Sequence, residues 1–119
     1  MDPQLDMKIL QNLYILGLIY GRQGNLVKAE TTFKQHRQGL ERELKVDEDQ
    51  LLSALYHLGH TYYRQHKLIE AEPILKRVLA LWERKSKPDD DRVLHTCQTL
   101  GQTYLVHGKE RAETEAMLK

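Results

Sequence analysis

The sequence holds one cysteine, one tryptophan, one phenylalanine and three prolines in 119 residues. A lone Cys97 cannot close an internal disulfide, so packing must hold the fold, and a reducing compartment is the simpler expectation. Apolar runs are short, and none approaches the roughly 18 residues that a bilayer-spanning helix needs. The opening residues MDPQLDMKIL lack the basic start and apolar stretch of a secretory signal. No sign of charge dominates: 18 Lys and Arg stand against 17 Asp and Glu. That balance argues against a surface built to neutralise nucleic-acid phosphates. Strand-like alternation is lacking, as are HExxH spacing, a glycine-rich phosphate loop and any Ser–His–acid or paired-carboxylate arrangement. The absences disfavour an enzyme. They leave a soluble cytoplasmic chain with no cofactor, no membrane contact and no nucleic-acid partner as the expectation. Both ends look abrupt, as in a piece of a longer protein.

What the sequence does have is a period. Gly17, Gly59 and Gly101 recur 42 residues apart, and Leu16, Leu58 and Leu100 keep the same step. So do Tyr20, Tyr62 and Tyr104, and Leu10, Leu52 and Leu94. Later in each unit Leu26 matches Leu68, Ala29 matches Ala71, and Glu30 matches Glu72. Within a unit the apolar residues fall at threes and fours, the spacing of a helix. Gly24-Asn25 reads as a helix stop followed by a cap, while Asp47 with Gln50, and Pro88 to Asp91, mark further helix starts. The expectation is six helices in one domain over 1–119, two per unit, with units at about 9–50, 51–92 and a truncated 93–119. The third unit departs from the pattern, with Glu110 where leucine stood before and Ala112 one residue early.

Leu13-x2-Leu16-Gly17-x2-Tyr20 followed by Ala29-x3-Phe33 resembles the tetratricopeptide repeat. Leu55, Leu58, Gly59, Tyr62, Ala71 and Leu75 repeat that pattern in the second unit. The 42-residue step, with EAEPILKRVLALWERK followed by KPDDDRV, resembles the kinesin-light-chain type of the repeat. The resemblance implies an all-α, right-handed superhelical solenoid of helix-turn-helix pairs. It also implies a protein–protein interaction scaffold or adaptor.

In such a stack the three repeated glycines let paired helices approach closely, and the three repeated tyrosines bury their rings. Trp82, in the slot of Leu40, is expected to pack between units. Cys97, in the slot of Leu13 and Leu55, is expected to be a small buried apolar group. Pro73 falls early in its helix, where a missing donor does least harm. His66 takes the turn slot that glycine fills elsewhere. His36 and Arg37 stand where the second unit has Val78 and Leu79, which reads as a poorly buried first layer.

A second stripe on each first helix carries the candidate site. In the first unit it reads Gln11, Tyr14, Leu18, Gly21 and Arg22. The second gives Ser53, Tyr56, His60, Tyr63 and Arg64 with His57 beside them. The third gives His95, Gln98, Gln102, Leu105 and Val106. By resemblance this stripe lines the concave face where peptides dock, with tyrosines giving contact area and arginines and histidines giving polar selection. Some family members clamp a peptide carboxylate with lysine and asparagine here, but Tyr14 and Leu18 hold those slots. His57, His60 and His95 are close enough to be weighed as zinc ligands, yet no carboxylate shares their stripe, so they read as groove residues. Their protonation would alter binding between about pH 7.5 and 5.5. A second reading is structural: a truncated last unit exposes apolar surface, and copies would assemble through it by stacking or exchanging helices.

Overall fold

The structure is a computed structural model that describes residues 3–42, 47–84 and 91–118. Every regular element among those residues is a helix: α1 (Pro3–Arg22), α2 (Leu26–Arg42), α3 (Glu48–Arg64), α4 (Leu68–Arg84) and α5 (Asp91–Leu118). Pro3 opens α1 at the position where a missing N–H costs nothing. Asp47 caps α3, its carboxylate accepting from the Asp49 N–H at 3.0 Å while the Gln50 N–H donates to the Asp47 carbonyl. The expected helix start over Pro88–Asp90 lies outside the described residues, and α5 begins at Asp91.

The two interhelical turns are copies of each other. The N–H of Asn25 reaches back to the Tyr20 carbonyl at 2.9 Å, and that of Lys67 to the Tyr62 carbonyl at 2.9 Å. Between them lies a residue in the left-handed region, Gly24 at φ 78° and His66 at φ 63°. His66 therefore adopts the conformation its slot requires, at the steric cost a side chain carries there. Asn25 then caps α2 by accepting from the Lys28 N–H at 3.3 Å. Pro73 sits in the second turn of α4, beyond the free first turn. The carbonyl of Ile69 loses its helical partner there, and that residue is exposed.

Successive helices pack in chain order, and α5 also touches α3. The largest buried cluster joins Ala29 and Phe33 of α2, Leu58 and Tyr62 of α3, Ala71 and Leu75 of α4, and Leu100 of α5. A second holds Leu52, Leu55, Val78 and Trp82, placing the indole between α3 and α4 with Val93 of α5 against it. Where α5 meets its neighbours it buries Thr96, Thr99 and Thr103. The hydroxyls of Thr99 and Thr103 are satisfied by carbonyls one turn back in the same helix, at 2.8 Å each.

Five helices, not six, are found among the described residues, because α5 runs unbroken through Gly108 to Leu118. Gly108 holds the slot of Gly24 and His66, but the leucine that follows each turn, half-buried Leu26 or buried Leu68, is replaced by Glu110. Without an apolar side chain to draw the chain back, continuing the helix satisfies the backbone at lower cost. Slots that α2 or α4 would cover are consequently open in the third unit. Leu94 is exposed where Leu10 and Leu52 are buried, Tyr104 is exposed where Tyr62 is buried, and Cys97 is exposed rather than buried. At the other end Leu16 is also exposed, unlike Leu58 and Leu100.

The repeated glycines sharpen this contrast. A Cβ on Gly17 would lie 2.6 Å from the Phe33 ring, and one on Gly59 would lie 2.8 Å from Leu75 Cδ2. At Gly101 no described atom lies within 4 Å of that position. Gly17→Ala and Gly59→Ala should therefore each destabilise the fold by about 1–3 kcal/mol through overpacking. Gly101→Ala should instead stabilise it by up to about 1 kcal/mol through helix propensity. Urea unfolding of the three variants checks the sign, and equal effects at all three sites would refute the packing assignment.

Candidate interaction groove

The stripe read from the sequence lies along α1, α3 and α5, and its tyrosines are tied across unit boundaries. The Ser53 hydroxyl donates to the Tyr14 hydroxyl at 3.3 Å, and Tyr14 lies 3.2 Å from His57 Nε2. One repeat on, the Tyr56 hydroxyl lies 2.9 Å from His95 Nδ1, in the slot equivalent to Ser53. The Tyr63 hydroxyl donates to Gln102 Oε1. The tyrosines thus spend their polar ends on the neighbouring unit. Arg22, Arg64 and Gln98 are exposed, as is Gln11, whereas Leu18 is half-buried against the main cluster. Gly21 faces Arg64, and a Cβ there would stand in ordinary contact with its Nη1, at 3.6 Å.

The histidines are more enclosed than their spacing suggested. His60 is 9% exposed, stacks on His95 with ring centres 4.4 Å apart and planes 9° from parallel, and lies 3.4 Å from Thr96 Oγ1. His57 stacks on Phe33 at 5.5 Å and meets Tyr14 and Tyr56 edge-on. His36, expected in a poorly buried layer, is 6% exposed and lies against Tyr14. Rings stacked face to face do not converge their nitrogens on one ion. Among the described residues no group of three or more His, Cys, Asp or Glu could hold a metal.

This enclosure resets the electrostatics. Burial pushes His57 down to about 4, helped by the nearby charges of Arg92 and His36. Burial likewise pushes His60 down to about 4, with His95 and His57 adding to the effect. The titration of these two rings, expected between about pH 7.5 and 5.5, is thereby displaced to the acid side. A neutral His57 can accept from the Tyr14 hydroxyl, which in turn accepts from Ser53. Serine, tyrosine and histidine then form one consistent donor chain.

Sequence reasoning missed the second tie between the first two units. Glu30 accepts from Lys67 Nζ at 2.7 Å and Gln65 Nε2 at 3.1 Å, with Lys34 at 3.5 Å. Burial alone would raise this carboxyl, but the bonds from Lys67 and Gln65 and the charges of Lys34 and Lys67 hold it below its usual value. The repeated Ala-Glu of Ala29-Glu30 and Ala71-Glu72 was its only trace in the sequence. A similar echo joins Lys34 above the Tyr62 ring at 5.6 Å to Lys76 above the Tyr104 ring at 5.3 Å.

Compared with known proteins, residues 50–114 match a family model described as tetratricopeptide repeat. No curated protein matches the chain. Among the described residues no helix is long and apolar enough to cross a membrane.

The buried imidazoles make stability depend on pH. Unfolded histidine titrates near 6.5 and these two near 4 in the fold, so between those values the unfolded chain binds more protons. Stability is full above the unfolded value and falls as pH drops toward the folded one. Lowering the pH from about 7.5 to about 5 should cost roughly 1–2 kcal/mol per imidazole. His60→Gln should remove its share of that loss, as measured by urea unfolding at both pH values. Stability that is flat over this range would refute the burial of the two rings.

Proposed function

We propose, from the premise that this chain belongs to the tetratricopeptide-repeat family, that it is a scaffold or adaptor that takes a peptide in the groove along α1, α3 and α5. The repeat is a non-catalytic interaction module, and its binding here is docking rather than chemistry. The supporting observation is the set of ties between units: Tyr14–Ser53, Tyr56–His95 and Tyr63–Gln102. They fix the face before a partner arrives, which lowers the ordering cost of binding. The tyrosine rings form the floor, while Arg22, Arg64 and Gln98 supply exposed polar groups able to meet carboxylates and backbone carbonyls. We take the 42-residue step to mark the kinesin-light-chain type of repeat. The near-neutral net charge and the exposed free thiol of Cys97 fit a protein partner in the reducing cytoplasm.

Because the tyrosines also hold the fold, the test uses the exposed residues. Arg22→Ala, Arg64→Ala and Gln98→Ala together should weaken capture of a pull-down partner at least about tenfold while leaving the melting temperature unchanged. Capture that survives all three changes would sink the groove assignment.

A second reading, self-association, draws on the two open apolar faces. Ile15, Leu16 and Ile19 are exposed on α1, and Leu94, Tyr104 and Leu105 on α5 beside the vacant notch of Gly101. Burying one face on the other would join copies head to tail. Light scattering over a concentration series should then show growth in mass, reversed by Leu94→Glu. A mass that stays monomeric at every concentration removes this reading.

A further inference from the structure

In both complete units the side chain seated on the repeated glycine comes 16 positions after it, Phe33 on Gly17 and Leu75 on Gly59. The same count from Gly101 arrives at Met117. The third unit therefore holds both halves of the contact on which the other two are built, but the halves do not meet. Along the unbroken α5 that separation amounts to about 24 Å of straight helix. Met117 is 87% exposed, and no described atom lies within 4 Å of a Cβ built on Gly101.

Two routes would join them. One is a turn at Gly108, like those at Gly24 and His66. Each of those turns is followed two residues on by a leucine that packs, Leu26 or Leu68, and Glu110 stands in that place. The other route leaves α5 straight. Two copies of α5 lying antiparallel about a twofold axis at Lys109 set residue 101 of each opposite residue 117 of the other. That is the pairing a hairpin makes within one chain, made twice between two chains with no turn to form. The open face is continuous with the existing core: the main buried cluster ends at Leu100, beside Gly101, and Tyr104 is exposed one helical turn on. Charge also suits the arrangement. Residues 109–118 hold three glutamates against one lysine and one arginine, while exposed Lys76 edges the open face above the Tyr104 ring.

We infer that residues 109–118 form an exchanged arm: they dock on α5 of a second copy, and Met117 of each copy fills the notch at Gly101 of the other. This rests on the self-association reading above and names the occupant of the open end, the arm rather than α1. Methionine suits the task, being flexible enough to fill a notch cut for phenylalanine or leucine. The pair is closed, because each copy uses its open end on the other, so assembly stops at two.

Light scattering over a concentration series should level off at twice the monomer mass. Met117→Glu should weaken the pair at least about tenfold, and so should Gly101→Leu, which fills the notch in a place that the single copy leaves empty. Leu94→Glu lies outside the paired stretch and should leave the pair intact. Gly108→Ala should do the same, because no left-handed turn is needed. In a Cys97→Ser background, oxidation should join a Gly101→Cys chain to a Met117→Cys chain. A chain carrying both changes should cross-link to a second copy; an internal bond would show the arm folding back on its own α5 and overturn the proposal. Growth past two copies, reversed by Leu94→Glu and untouched by Met117→Glu, would overturn the exchange and leave head-to-tail stacking standing. A strictly monomeric chain would overturn both.

Discussion

The contact on which the other layers rest is the seating of a large side chain directly on a glycine backbone, Phe33 on Gly17 and Leu75 on Gly59. It sets the separation of α1 from α2 and of α3 from α4. With that separation fixed, Ala29 and Ala71 become fully buried, and only small side chains fit those slots. The same spacing brings Leu58 and Tyr62 into the cluster that runs from α2 to α5. A methyl group added at either glycine would act on every layer, because the clusters are stacked rather than independent.

Between units the apolar cluster is supplemented by polar joints at side-chain tips. Glu30 gathers Lys67 and Gln65 on one side, while the tyrosine hydroxyls reach the next unit on the other. Between these two sets of joints lie the enclosed imidazoles, neutral and stacked on aromatic neighbours. Histidine suits this place because it packs like an aromatic ring yet can still accept or donate one hydrogen bond. The result is a face whose tyrosines are tied to the next unit and whose Arg22, Arg64, Gln11 and Gln98 are exposed.

The sequence revealed the helices, the turns and the family because each leaves a mark at a fixed slot: glycine for close approach, Gly24 or His66 for the left-handed residue, Asp47 for a cap. It failed where burial depends on a neighbour. Cys97, Leu94 and Tyr104 hold slots that are covered only when a returning helix lies over them, and Glu110 removes the apolar contact that would return it. His36 failed differently. Its polarity suggested exposure, whereas Tyr14 beside it and the close approach of α1 at Gly39 keep it buried. The clustering of His57, His60 and His95 could be read from spacing, but the lowered pKa of His57 and His60 could not, since it follows from their burial in the folded stack.

The tyrosine joints also separate what is held constant from what is free to vary. Tyr14–Ser53 and Tyr56–His95 occupy the same place in successive units, yet one ends on a hydroxyl and the other on an imidazole. The tyrosine end sets the register, and the far end tolerates either partner. A substitution at the far end alters the local chemistry of the face without shifting the helices beneath it. Fidelity of architecture and divergence of recognition are thus assigned to opposite ends of one bond.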